Sequence, residues 1–143
     1  MTKTEVINKP KTRLKLCALL LGIVVLVWLP LEETAVTGVL VISGLICAWI
    51  GVWLMVKTDS YPKQVIIRHV LIGGGVGLLL APLAILLMAI KTGIHGHGSP
   101  DFTIEQMESV FYQVPYYVLC GVLIGAGAGL LRASRTREEQ EVV

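Results

Sequence analysis

Charged residues are scarce in this sequence, and no aspartate or glutamate falls within any of its long hydrophobic runs. Only 15% of the 143 residues are charged, whereas 55% are hydrophobic and the mean hydropathy is +0.76. A soluble globular domain carries roughly 25% charged residues, so this composition excludes that class. The charges and most prolines lie in short stretches between the apolar runs, which is typical of an integral membrane protein.

Other absences narrow the functional classes. The net charge of +2 is small, and no basic stretch is interleaved with aromatics, so we expect no nucleic-acid partner. The three cysteines form no CxxC pair, which argues against a disulfide framework or a thiol redox centre. No nucleophile elbow, phosphate-binding loop or zinc-protease motif is present. We therefore expect neither enzymatic activity nor a bound cofactor.

Four apolar runs reach or approach the roughly 17–25 residues that a helix needs to cross a bilayer. They predict an all-α membrane domain over residues 1–143, with four transmembrane helices at 14–31, 35–56, 65–90 and 115–131. Residues 1–13 and 132–143 are the predicted tails. The basic N-terminus followed by an apolar run imitates a signal peptide. Leu31 to Thr34 offer no small-x-small cleavage site, however, so we expect the first helix to be retained.

An outer loop is predicted over residues 91–114. Its first part, from Lys91 to Ser99, is rich in glycine and predicts a flexible segment. Ser99, Pro100 and Asp101 then provide a helix cap, a first-turn proline and a first-turn acid. The apolar residues that follow recur at helical spacing, which predicts a short amphipathic helix at the membrane surface before the fourth span: Ile104, Met107, Val110, Phe111 and Val114.

The distribution of basic residues predicts the orientation. Of the twelve lysines and arginines, five lie before or at the start of the first span, three lie between the second and third spans or in the first turns of the third, and three follow the fourth. Only Lys91 lies on the other side of the membrane. Cytoplasmic segments of membrane proteins carry an excess of such residues. We therefore expect a multi-pass protein of the cytoplasmic membrane, with both termini in the cytoplasm.

Glycines line one face of two predicted spans. Small residues let membrane helices approach until their backbones touch, so this pattern predicts close helix packing through Gly121, Gly125, Gly129, Gly73 and Gly77. Two interpretations remain open: the third and fourth spans pack on each other within one chain, or the glycines form a seam for a partner. In either case leucine at Gly125 is expected to be costly and alanine much milder.

Two histidines in the outer loop, His95 and His97, could hold one zinc or copper ion, with Asp101 or Glu105 completing the ligand set. Zinc requires four ligands and an ordered surrounding shell, and an HxH pair in a glycine-rich loop is a weak signal for both. The alternative is a solvated polar loop.

The spans contain no acid and no cation away from their ends, although coupled carriers usually place ionisable groups within the membrane. This absence, together with the glycine faces, favours an accessory, assembly or scaffold component. Its expected partners are the lipid bilayer and either a second copy or another membrane protein. The alternative is a homo-oligomeric small-solute transporter or channel, lined by Thr37, Ser43, the backbone near Pro82 and the glycines of the third span.

Overall fold

The computed structural model describes residues 3–31, 35–57, 64–95 and 100–141, with side chains over 12–31, 35–57, 64–94 and 100–135. Five α-helices account for the regular structure of these residues, and no strand occurs among them. In chain order they are α1 (Lys3–Trp28), α2 (Val36–Lys57), α3 (Val65–His95), α4 (Ile104–Tyr112) and α5 (Val114–Glu141).

Three segments in the described part of the chain are long and apolar enough to cross a membrane: Val36–Lys57, Val65–Ile94 and Val114–Arg135. Composition therefore supports three membrane-spanning helices rather than the predicted four. The first helix falls short because its N-terminal half is polar. Arg13 and Lys15 interrupt the sequence just before the apolar residues 16–28, and that stretch is shorter than the roughly 17–25 residues of a full span.

The outward faces of the long helices are strongly apolar. Large hydrophobic side chains on all of them are more than half exposed, among them Leu26, Leu71, Ile124 and Leu131. A contiguous apolar surface of this kind is unfavourable in water and favourable against lipid. The helices are thus compatible with a membrane protein.

The α3 helix continues beyond the predicted end at Ile90 and includes Lys91 to His95. Its buried residues explain this extension, because Ala84, Leu87, Met88 and Lys91 recur at helical spacing and are all buried. Packing of this stripe therefore continues through the segment that was predicted to be the start of a loop.

The short amphipathic helix begins later than predicted. Thr103, rather than Ser99, is the N-cap of α4: its hydroxyl accepts from the Gln106 amide at 3.3 Å, and the Gln106 side chain accepts from the Thr103 amide at 2.9 Å. This reciprocal capping box satisfies two helix-end donors, which favours a start at Ile104. Pro115 lies in the first turn of α5, where a missing amide hydrogen costs nothing.

The buried core lies at one end of the bundle, where α1 ends, α2 begins and α3 ends. Its members include Trp28, Val39, Met88, Phe102 and Val110. Val110 is fully buried, so α4 packs onto α3 as a cap over this core. The predicted apolar face of α4 is only partly buried, because Ile104 and Phe111 are 76% and 61% exposed.

Candidate functional site

The α3 and α5 helices make the most extensive helix–helix contact in the described chain. A β-carbon added at Gly73 would lie 2.9 Å from the carbonyl carbon of Gly121 and 3.1 Å from the Cα of Gly125. At Gly77 it would lie 2.8 Å from the carbonyl carbon of Tyr117. The two backbones are therefore in direct contact, with no room for side chains between them.

The same seam continues toward the start of α3. A β-carbon at Gly125 would approach the carbonyl group of His69, with 2.8 Å to its carbon, and one at Gly129 would lie 2.9 Å from the Cα of Ile66. His69 is itself buried, and its Nδ1 donates to the carbonyl oxygen of Val65 at 2.7 Å. All five glycines predicted to pack helices thus lie in a seam within one chain, where backbone from the same molecule covers them.

This geometry changes the expectation for alanine at Gly125. Carbon atoms pack at about 3.5–4.0 Å, so a single methyl group already overlaps the facing backbone. The overlap is with backbone atoms, which cannot rotate out of the way as a flexible side chain can. Alanine is therefore disruptive here, and leucine only adds to a clash that the first carbon creates.

A second small-residue surface adjoins this seam and shares Gly73, Gly77 and Gly121 with it. An open groove of about 390 Å³ lies between α2 and α5, with α3 as its floor, and we call it the α2–α5 groove. Its two walls carry several small side chains, from α2 and from α5 respectively: Gly44, Cys47, Ala48 and Gly51, and Cys120, Gly121 and Ala128. The larger side chains of Val52, Met55, Tyr117 and Ile124 also line it. Small residues on facing walls leave room for side chains of another helix.

Lys91 is the most unexpected buried residue. Its side chain is 0% exposed, and its Nζ lies 4.2 Å from the centre of the Trp28 ring, which is 6% exposed. A desolvated cation over an indole face gains about 2 kcal/mol or more from the ring's electron density. Phe102 and Val110 are also fully or almost fully buried in this core, which the loop before α4 and α4 itself close.

Sequence reasoning missed this site because it ended the third span one residue before Lys91. The signal was nevertheless present: Lys91 follows Ala84, Leu87 and Met88 at intervals of seven, four and three residues. These intervals place it on the core face of α3. A lone lysine after a long apolar run is more typical of the start of a loop than of a buried helix position.

Two of the four predicted metal ligands have side chains outside the described part of the chain. His97 and the side chain of His95 lie outside the described residues. Of the other two proposed ligands, Asp101 is half-buried and Glu105 is exposed. Among the residues that the structure does describe, no group of three or more His, Cys, Asp or Glu side chains could hold a metal ion.

The residues predicted to line a homo-oligomeric transport path differ in their exposure within the single chain. Thr37 is exposed, whereas Ser43 is fully buried and its Oγ makes no hydrogen bond to any described residue. Gly73 and Gly77 are covered by α5. These two glycines therefore pack against α5 within the chain, whereas an added β-carbon at Gly75 would meet nothing within 4 Å.

Comparison with protein families, with curated proteins and with solved structures finds no match to this chain.

Proposed function

We propose that this chain is a multi-pass protein of the cytoplasmic membrane that works without catalysis, as an accessory, assembly or scaffold component. It crosses the bilayer four times, with both termini in the cytoplasm. Support for the fourth span comes from α1, which packs along α2: the Trp49 indole donates to the Leu14 carbonyl oxygen at 3.1 Å. Arg13 and Lys15 can extend to the headgroups while their stems stay in apolar surroundings, which lengthens the usable span.

The α2–α5 groove carries the functional proposal. In lipid, helices associate through close packing and interhelical hydrogen bonds, because the bilayer supplies no hydrophobic drive toward a partner. A groove whose walls carry several glycines, alanines and cysteines suits that packing, since side chains from a second helix can insert between its walls. We therefore propose that a transmembrane helix of a second copy or of another membrane protein docks there.

Extraction in a mild detergent followed by native mass measurement tests this proposal. The mass of the wild-type complex should equal that of one chain plus a second copy or plus one defined partner. Ala128→Trp fills the groove and should release that mass while the chain stays folded. Gly127→Trp is the matched control, because an added β-carbon at Gly127 meets nothing within 4 Å and this residue does not line the groove. A monomer of bare wild-type protein contradicts the proposal.

Transport is the second candidate function, and Lys91 favours it. A charged residue buried in a membrane helix is costly and commonly marks an ion or substrate pathway. Lys91 is fully buried in α3 within the apolar segment Val65–Ile94. Flux of small anions into proteoliposomes should then depend on this side chain, and Lys91→Met should abolish it. Equal flux in wild-type, variant and protein-free vesicles removes this candidate.

A further inference from the structure

A pocket of about 650 Å³ lies between α1 and α2, at the end of α2 remote from the buried core. We call it the α1–α2 pocket. It is lined by Leu14, Lys15, Ala18, Trp49, Trp53, Val56 and Lys57. These residues combine an apolar wall, two indole rings and two cations. None of them is acidic, and none of them belongs to the glycine seam or to the α2–α5 groove.

Each wall of the pocket has a defined geometry. Trp49, Trp53 and Lys57 follow one another at intervals of four residues and therefore share one face of α2. The Trp49 indole donates to the Leu14 carbonyl oxygen, which ties α1 to α2 at the pocket. The Lys57 Nζ lies 4.9 Å from the centre of the Trp53 ring. This contact places one cation at the edge of the apolar wall.

The combination matches an anionic phospholipid better than a soluble anion. Tryptophan and lysine together are characteristic of the membrane–water interface, where indoles lie at headgroup level and lysine stems cover apolar surface. A free phosphate would contact the exposed lysines but would leave the apolar wall unused. A phospholipid uses both, because its phosphate attracts the lysines and its acyl chains cover the wall. The volume falls within the range of about 300–1,000 Å³ that ligand pockets occupy.

We propose that the α1–α2 pocket binds one anionic phospholipid of the cytoplasmic leaflet, with its phosphate held by Lys15 and Lys57 and its acyl chains against Ala18 and Val56. The inference rests on the proposed membrane topology, which places this end of α2 in the cytoplasmic leaflet. It does not depend on the groove that is proposed to dock a helix, because the two surfaces share no residue.

Tryptophan fluorescence provides a local readout of this pocket. Two of the three tryptophans line it, whereas Trp28 is 6% exposed in the core and contributes a nearly constant background. The full chain is reconstituted into vesicles of phosphatidylcholine mixed with phosphatidylglycerol. In separate series one of the two lipids is brominated near the headgroup end of its acyl chains. The difference in quenching gives the preference of the pocket for the anionic lipid.

We expect wild-type protein to prefer phosphatidylglycerol by about 25-fold, because each of the two lysines near the membrane surface contributes about fivefold. Lys15→Gln and Lys57→Gln should each lower the preference about fivefold, and the double variant should lose it. Both lysines are exposed, so these changes leave the fold intact. Arg135→Gln removes an exposed cation outside the pocket and should leave the preference unchanged.

Three results overturn the proposal. Equal quenching by both lipids in wild-type protein shows that the pocket has no anionic preference. A double variant that keeps the preference shows that the attraction arises elsewhere. Absence of quenching by either lipid shows that protein, rather than lipid, covers the pocket. In each case the mass of the detergent-extracted complex still decides separately whether the α2–α5 groove docks a helix.

Discussion

Alanine at Gly125 provides a sharp test of the seam between α3 and α5. The added methyl carbon would lie 2.8 Å from the carbonyl carbon of His69 and 3.1 Å from the Cα of Val70. Favourable carbon–carbon separations are about 3.5–4.0 Å, so the helices must separate locally by about 0.5–1 Å. A gap of that size forfeits roughly a quarter to a half of each van der Waals contact across it.

We expect Gly125→Ala to lower the free energy of unfolding by about 1–3 kcal/mol, the usual cost of overpacking a well-fitted contact. Alanine is also the better helix former by about 1 kcal/mol, which offsets part of the loss. Gly127→Ala provides the matched control on the same helix. An added β-carbon at Gly127 meets nothing within 4 Å, so this variant receives the helix-propensity gain without the clash.

Equilibrium unfolding in mixed micelles of a mild detergent and dodecyl sulfate, followed by circular dichroism, measures the difference. It should be run at a protein concentration where native mass measurement shows a single chain, so that loss of a partner does not contribute. Gly125→Ala should be the less stable variant by more than 1 kcal/mol. If the two alanine variants unfold together, the α3–α5 backbones do not touch at Gly125 and the seam described above is incorrect.

Lys91→Met should leave stability unchanged or raise it. Trp28→Leu removes the ring from the buried cation and should cost about 2 kcal/mol or more in the same assay; the reverse order contradicts the cation–ring contact. Thr103→Ala should cost about 1 kcal/mol through the lost helix cap, and an unchanged midpoint argues against that cap. In a cysteine-free background, an impermeant thiol reagent should label cysteine at position 99 from outside and cysteine at position 60 only after permeabilisation; the reverse pattern refutes the orientation. The native Ser60 and Ser99 lie outside the described residues.

The long apolar helices could be predicted from the sequence because their signal is local. For the second span the predicted range of 35–56 differs from Val36–Lys57 by one residue at each end, since polar turns flank an uninterrupted apolar run. The first helix was harder to judge, because its charged N-terminal half is also helical from Lys3. Hydropathy alone does not mark where such a helix enters the membrane.

Tertiary packing determined what could not be predicted. The extension of α3 through Lys91 accompanies the packing of Lys91 on Trp28, which comes from a distant position in the chain. The later start of α4 depends on competition between two caps, and Thr103 prevails because Gln106 completes a reciprocal pair of hydrogen bonds. Neither outcome follows from the composition of the segment itself.

The two glycine-lined surfaces illustrate the same limit. Gly121 and Gly125 were identified from their spacing, but spacing cannot say whether the facing helix belongs to the same chain. The sequence did not identify Ala48 and Cys120 as parts of one surface, because they lie on α2 and α5 and line a common groove only in the folded bundle. Sequence reasoning thus identified residues capable of close packing and could not assign their partners.

Photo-crosslinking in intact membranes tests most directly whether the α2–α5 groove docks a helix. A photoreactive amino acid is placed at Ala48 in the groove wall and, as the control, at Gly127, which lies outside the groove and where an added β-carbon would meet nothing within 4 Å. If a helix docks in the groove, position 48 should yield one protein adduct of defined mass, twice the 15.5 kDa of the chain if the partner is a second copy. Position 127 should yield lipid adducts alone. Lipid adducts alone from both positions would show that no helix docks in the groove.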